Sequence, residues 1–166
     1  DVEKIICACD DADVTIRYEN GVQQVYLNDV NITSRLRDEA VGSMASKSSA
    51  IPEVRAKLLE LQRGLARTQD VIMDGRDIGT CVLPDADVKV YLTASVETRA
   101  MRRYKELVEK GVSCDFDEIA KDIAERDHRD MTRETAPLKQ ADDAVLVDSS
   151  DMTIEEVVKA ISDLCK

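Results

Sequence analysis

From Pro52 to the end of the chain, helical patterns alternate with short apolar runs of buried-strand type, and this predicts an α/β fold with parallel strands. A second observation sets the beginning apart. Asn20-Gly21 lies between two runs of alternating hydrophobicity, the strongest short-range hairpin signal, so a β-hairpin is predicted as an elaboration on the α/β core. Composition agrees with one folded domain: 166 residues, 43% hydrophobic and 34% charged.

The elements follow in order. Outward from the Asn20-Gly21 turn, Ile16 faces Val25 and Val14 faces Leu27, so both strands put their apolar residues on one face. The polar stretch Asn28 to Ser34 comes next. Leu36, Val41 and Met44 then mark one or two short helices, ending in the Ser-rich stretch Ser43 to Ser49. Pro52 suits the first turn of a helix whose apolar positions Val54, Leu58, Leu61 and Leu65 recur at helical spacing. Val71-Ile72-Met73 reads as a strand that stops at Asp74-Gly75-Arg76-Asp77-Ile78-Gly79-Thr80, and Val88 to Leu92 as another. Ser95 caps a helix carrying Val96, Ala100, Tyr104 and Leu107 as far as Gly111. Asp115 to Arg133 is predicted helical, with a narrow stripe at Ile119 and Ile123. Val145-Leu146-Val147 is a third strand, and Thr153 with Glu156 forms a capping box opening a last helix through Leu164.

Charge and glycine usage exclude several functions. With 34 acidic against 23 basic residues the net charge is −11, the reverse of a nonspecific nucleic-acid binder. Six scattered glycines allow no G-x-x-x-x-G-K-[ST] phosphate loop in this chain. Five cysteines, of which only Cys7 and Cys9 are close, and one histidine give neither a disulfide framework nor a metal site. No apolar run approaches the length a bilayer requires, and no basic-then-apolar leader is present, so a cytoplasmic protein is expected.

Two clusters can carry chemistry. In open α/β sheets ligands bind beyond the carboxyl ends of strands, which directs attention to DGRDIGT, where glycines permit close approach and Arg76 and Asp77 offer a donor fork and an acceptor. The alternative is a turn with a local Arg and Asp pair. In Glu125 to Arg133, Arg126, Asp130 and Arg133 share one helical face, as a phosphorylated ligand needs, because guanidinium pairs with phosphate through two parallel hydrogen bonds. A solvated helix laced with surface ion pairs is the alternative there. His128 lies off that face and is expected in solvent. Arg99, Arg102 and Arg103 form a third, weaker group, and Ser46 and Arg55 flank the Ser-rich stretch and the Pro52 helix. No serine or cysteine nucleophile has a histidine to activate it, and clustered arginines favour phosphate chemistry.

The runs VIMDGRDIGTCVLPDADVKVYLTAS, RDHRDMTRETAPL and VLVDSS resemble the bacterial cytidylate kinases, of the nucleoside monophosphate kinase group, and the hairpin with SRLR resembles their monophosphate-binding insert. The resemblance runs from about Val14 to the C-terminus. It implies a P-loop NTPase-like parallel sheet with flanking helices, incomplete at its N-terminus, plus a small β-hairpin/helix insert. Residues 1–48 would be the partial insert and 49–166 the kinase core, with a lid at about 113–137. The implied activity is transfer of the ATP γ-phosphate to CMP or dCMP in pyrimidine metabolism, with Mg²⁺ not ligated by residues identifiable in this chain. Carried over by position, Asp77, Ser46 and Arg55 would read the cytosine, and Asp130 would hold the sugar hydroxyls. Arg76, Arg126 and Arg133 would clamp the acceptor phosphate and the transferring group, and Arg102 would reach the donor phosphates. A monomer acting on small molecules is expected, with no nucleic acid and no membrane. Family members begin with a strand, a phosphate loop and further elements ahead of Val14, where this chain has thirteen residues. A fragment of a longer kinase is therefore expected, and a remnant that binds CMP without phosphoryl transfer is the alternative.

Overall fold

The computed structural model describes every residue except Arg37 and Ala50; the side chains of Glu39, Ser43, Ser46 and Lys47 also lie outside the described residues. Two compact units divide between Val71 and Ile72. The Pro52 helix falls in the first of them, with the hairpin.

In Asp1–Val71, helix α1 (Val2–Asp10) precedes the hairpin strands β1 (Val14–Glu19) and β2 (Val22–Leu27) and the short β3 (Val30–Asn31). The antiparallel register is the expected one, Val14 opposite Leu27 and Ile16 opposite Val25. Asn20 and Gly21 both take positive φ, 52° and 78°, the mirror-image turn whose twist matches the strands. Arg17 lies 4.3 Å over the Tyr26 ring and donates to Asp29 at 2.6 Å, and Val25 N donates to Thr33 Oγ1 at 2.8 Å. Helices α2 (Glu39–Ser48) and α3 (Pro52–Thr68) follow, the latter with Pro52 in its first turn and Val54 buried. Helix α1, which the sequence reading did not anticipate, packs on α3 with Ile5, Ile6 and Cys9 half-buried, and Lys57 Nζ donates to Asp10 O at 2.5 Å.

In Ile72–Lys166, β4 (Val90–Thr93) and β5 (Val145–Asp148) form a parallel pair, Val90 opposite Val145. Helix α4 (Val96–Glu109) connects β4 to α5 (Phe116–Thr132), and α6 (Ile154–Leu164) follows β5. The caps are those expected: Ser95 Oγ accepts from Thr98 N, and Thr153 and Glu156 complete a capping box. Val96, Tyr104 and Leu107 are half-buried and Ala100 fully buried, the predicted inner stripe of α4. Val71-Ile72-Met73 is not a strand, contrary to the sequence reading. An apolar run becomes a strand only with a neighbour to complete its ladder. No described segment supplies one here, and Ile72 is fully exposed. Among the described residues no helix is long and apolar enough to cross a membrane.

Candidate functional site

The DGRDIGT segment folds tightly back on itself. A Cβ at Gly75 would stand 2.9 Å from Ile78 Cγ1 and 3.1 Å from its Cδ1, so the Ile78 side chain covers this glycine closely and must turn aside for any larger residue. Ile78–Val82 then forms a single π-helical turn hung on the Asp77 carbonyl, which accepts from Cys81 N at 2.8 Å and Val82 N at 3.2 Å. Such one-turn widenings recur at functional sites. Lys89, whose side chain is only 8% exposed, lays its stem against Gly79 and donates to Pro84 O and to Asp143 at 2.6 Å. Its ammonium holds the Asp143 carboxyl below the usual aspartate range. The loop bearing Arg76 and Asp77 is thereby tied to the start of β4.

Helix α5 presents the second half of the cluster. Phe116, Ile119 and Ile123 lie on its half-buried side, and the same side continues into Asp127 and Asp130. Arg76 Nε donates to Asp130 Oδ2 at 2.9 Å, and Arg126 Nε lies 4.0 Å from that oxygen. Arg133 Nη2 stands 4.0 Å from Asp77 Oδ1. The pairs are crossed: neighbouring residues 76 and 77 engage, with opposite charges, residues 130 and 133 at the end of the helix. Asp77 and Asp130 are largely shielded, while Arg76 and Arg126 reach solvent. Arg133 is oriented by its own loop, because Nε donates to Ala136 O at 2.7 Å while Leu138 N returns to Asp130 O at 2.7 Å. Ala136 adopts a left-handed φ of 47° to do so.

Five of the residues singled out from the sequence, Arg76, Asp77, Arg126, Asp130 and Arg133, thus converge. Arg102 does not join them. It donates to Ser149 O at 2.6 Å and to Ser149 Oγ at 3.2 Å, bracing the loop after β5 and lining an open cleft of about 450 Å³ with Glu97, Thr98, Met101, Phe116 and Met152. Arg55 is half-buried on α3, and the Ser46 side chain lies outside the described residues. His128 is exposed, as expected.

Sequence reasoning missed Asp127. It accepts a two-pronged bond from Arg99, at 2.9 Å and 2.5 Å, while Arg99 Nε donates to Ala94 O at 3.0 Å. The Arg99 hydrogen bonds hold the Asp127 carboxyl below its ordinary value, with smaller contributions from Arg76 and Arg126. The signal was available: Asp127 lies four residues beyond Ile123, itself four beyond Ile119, on the same stripe.

The family model for cytidylate kinase matches residues 1–166. The chain belongs to the cytidylate kinase family. Membership makes it a nucleotide-handling phosphotransferase. A cytidylate kinase of Caldicellulosiruptor saccharolyticus is 48% identical over 164 residues, covering 99% of this chain and 73% of that protein. One of Streptococcus pneumoniae is 47% identical over 162 residues, covering 97% and 73%.

Proposed function

We propose that the protein transfers the γ-phosphate of ATP to CMP or dCMP, and that the crossed Arg76–Asp130 and Asp77–Arg133 pairs are its acceptor site. The observation that carries the reading is the convergence of three guanidiniums and two shielded carboxylates on one loop and one helix end. Cytosine offers an exocyclic amino donor, and a carboxylate is its natural acceptor. Asp77 takes that role. Uracil presents a carbonyl there, whose oxygen repels the carboxylate where cytosine would donate to it. Arg76, Arg126 and Arg133 neutralise the acceptor phosphate and the group in transit. When phosphate draws Arg76 away, Asp130 is released toward the sugar hydroxyls. The acceptor is a phosphate oxygen that is already ionised, so no general base is needed. Its bond to the γ-phosphorus forms as the bond to the ADP oxygen breaks, and alignment with charge neutralisation lowers the barrier.

Ser46 and Arg55 are assigned to the base, and Arg102 to the donor phosphates, on the strength of the resemblance. Mg²⁺ travels with ATP and spreads the charge of its phosphates; among the described residues no cluster of His, Cys, Asp or Glu could hold a metal. Residues 1–48 act as the insert and 113–137 as the lid, in a cytoplasmic monomer acting on small molecules. Turnover of CMP and ATP, followed by ADP release beside calorimetric binding of CMP, tests the reading. Binding with turnover supports it, binding without turnover identifies a nucleotide-binding remnant, and absence of CMP binding overturns it.

A further inference from the structure

Asp127 is a carboxylate placed where a phosphate-binding site can least accommodate one. It follows Arg126 directly, precedes Asp130 by one helical turn, and lies near enough to Arg76 and Arg126 for both to stabilise its charge. An unpaired anion there would compete with an incoming phosphate for those guanidiniums. The fold answers with a fourth arginine from another helix. Arg99 commits both terminal nitrogens to Asp127, at 2.9 Å and 2.5 Å, and its Nε to the carbonyl of buried Ala94 at the end of β4. A guanidinium bound on both edges in this way cannot turn toward a ligand without breaking three hydrogen bonds. The same contact fixes α5 on α4, together with the edge-to-face pair of Tyr104 and Phe116, 6.3 Å apart and at 80°. Arg99 thus differs from Arg76, which gives Asp130 a single hydrogen bond, and from Arg126, which stands 4.0 Å from that carboxylate.

We propose that Arg99 is a positioning residue for the acceptor nucleotide, occupying the Asp127 carboxylate so that Arg76 and Arg126 remain available to the phosphate. It touches neither base nor phosphate and acts through Asp127. The inference rests on the proposed acceptor site and concerns its phosphate half.

The test is calorimetric titration of the whole chain with CMP and, separately, with cytidine, which lacks the phosphate. Arg99→Met weakens CMP binding by about tenfold, the value of one charge-assisted hydrogen bond, and leaves cytidine binding unchanged. Asp127→Asn alone changes CMP binding by less than about threefold, because no competing anion remains. The double variant Arg99→Met/Asp127→Asn returns CMP affinity to within about threefold of Asp127→Asn, although the bond between the helices is still missing. A purely structural bond gives a different pattern: both single variants weaken CMP and cytidine alike, and the double variant is no better than Arg99→Met. That pattern, or unchanged CMP affinity in Arg99→Met, overturns the proposal. If Arg99→Met does not fold, Arg99→Lys keeps the cation, loses the fork and carries the same comparison at about threefold. Failure of the unaltered chain to bind CMP refutes the function instead, so the two failures are distinguishable.

Discussion

Replacing Gly75 by alanine tests how tightly the loop geometry governs the site. The added Cβ would lie 2.9 Å from Ile78 Cγ1 and 3.1 Å from Ile78 Cδ1. Carbon atoms rest at about 3.5–4.0 Å, so Ile78 must retreat by roughly 0.5–1 Å. Ile78 opens the π-helical turn and directly follows Asp77, whose carbonyl holds that turn through Cys81 N and Val82 N. The colliding atoms are the outer part of a flexible, half-buried side chain that can turn aside, so the cost lies at the low end of overpacking, about 1 kcal/mol of stability. Whatever part of the strain Ile78 passes to the backbone carries Asp77 and Arg76 away from Arg133 and Asp130, and an error of about 1 Å in a binding constellation can cost up to about a hundredfold. Thermal denaturation beside calorimetric titration with CMP separates the two effects. Gly75→Ala lowers the melting temperature and weakens CMP binding, and a second change, Ile78→Ala, restores CMP binding by removing the colliding atoms. A Gly75→Ala variant with undiminished stability and CMP affinity would refute the reasoning.

Other consequences are open to measurement. Ala136 holds a left-handed φ of 47°, a conformation that costs a residue with a Cβ about 1–2 kcal/mol, partly offset by the backbone entropy a glycine loses. Ala136→Gly therefore raises stability by about 0.5–1 kcal/mol in denaturant titration, and a loss of stability contradicts the assignment of strain. The depressed Asp127 carboxyl fixes a pH dependence. A group with its folded pKa below its unfolded one stabilises fully above the ordinary value of 3.8, and that stabilisation disappears as pH falls below 3.8 through the folded value. Unfolding free energy measured from neutral to acid pH accordingly falls less steeply below about pH 4 in Asp127→Asn than in the unaltered protein. Parallel curves exclude a contribution from the Arg99–Asp127 pair.

What the sequence revealed, and what it concealed, follows the range of the interactions. The hairpin was legible down to its register because Asn20-Gly21 fixes the turn and the period of two fixes the faces. The capping residues Ser95 and Thr153 were legible for the same reason, since their partners lie three residues away. Val71-Ile72-Met73 was misread because its apolar run satisfies the local pattern of a strand while a ladder depends on a neighbour elsewhere. Helix α1 went unrecognised: its apolar residues, Ile5, Ile6 and Cys9, take their meaning from α3, some fifty residues away. In the site, residue types pointed to phosphate, yet no local pattern shows that Arg76 pairs with Asp130 and Arg133 with Asp77. Asp127 was passed over because its partner Arg99 stands on another helix.

In the proposed site Asp77 reads the base while the neighbouring arginines hold phosphate. The most direct measurement compares kcat/KM for CMP and for UMP in the unaltered protein and in Asp77→Ala. Loss of a shielded carboxylate that accepts from the cytosine amino group costs CMP about 1–3 kcal/mol, roughly 5- to 150-fold, and costs UMP little or nothing. CMP use in Asp77→Ala is expected to collapse toward the level of UMP. An equal loss for both nucleotides, with the preference for CMP intact, would contradict it.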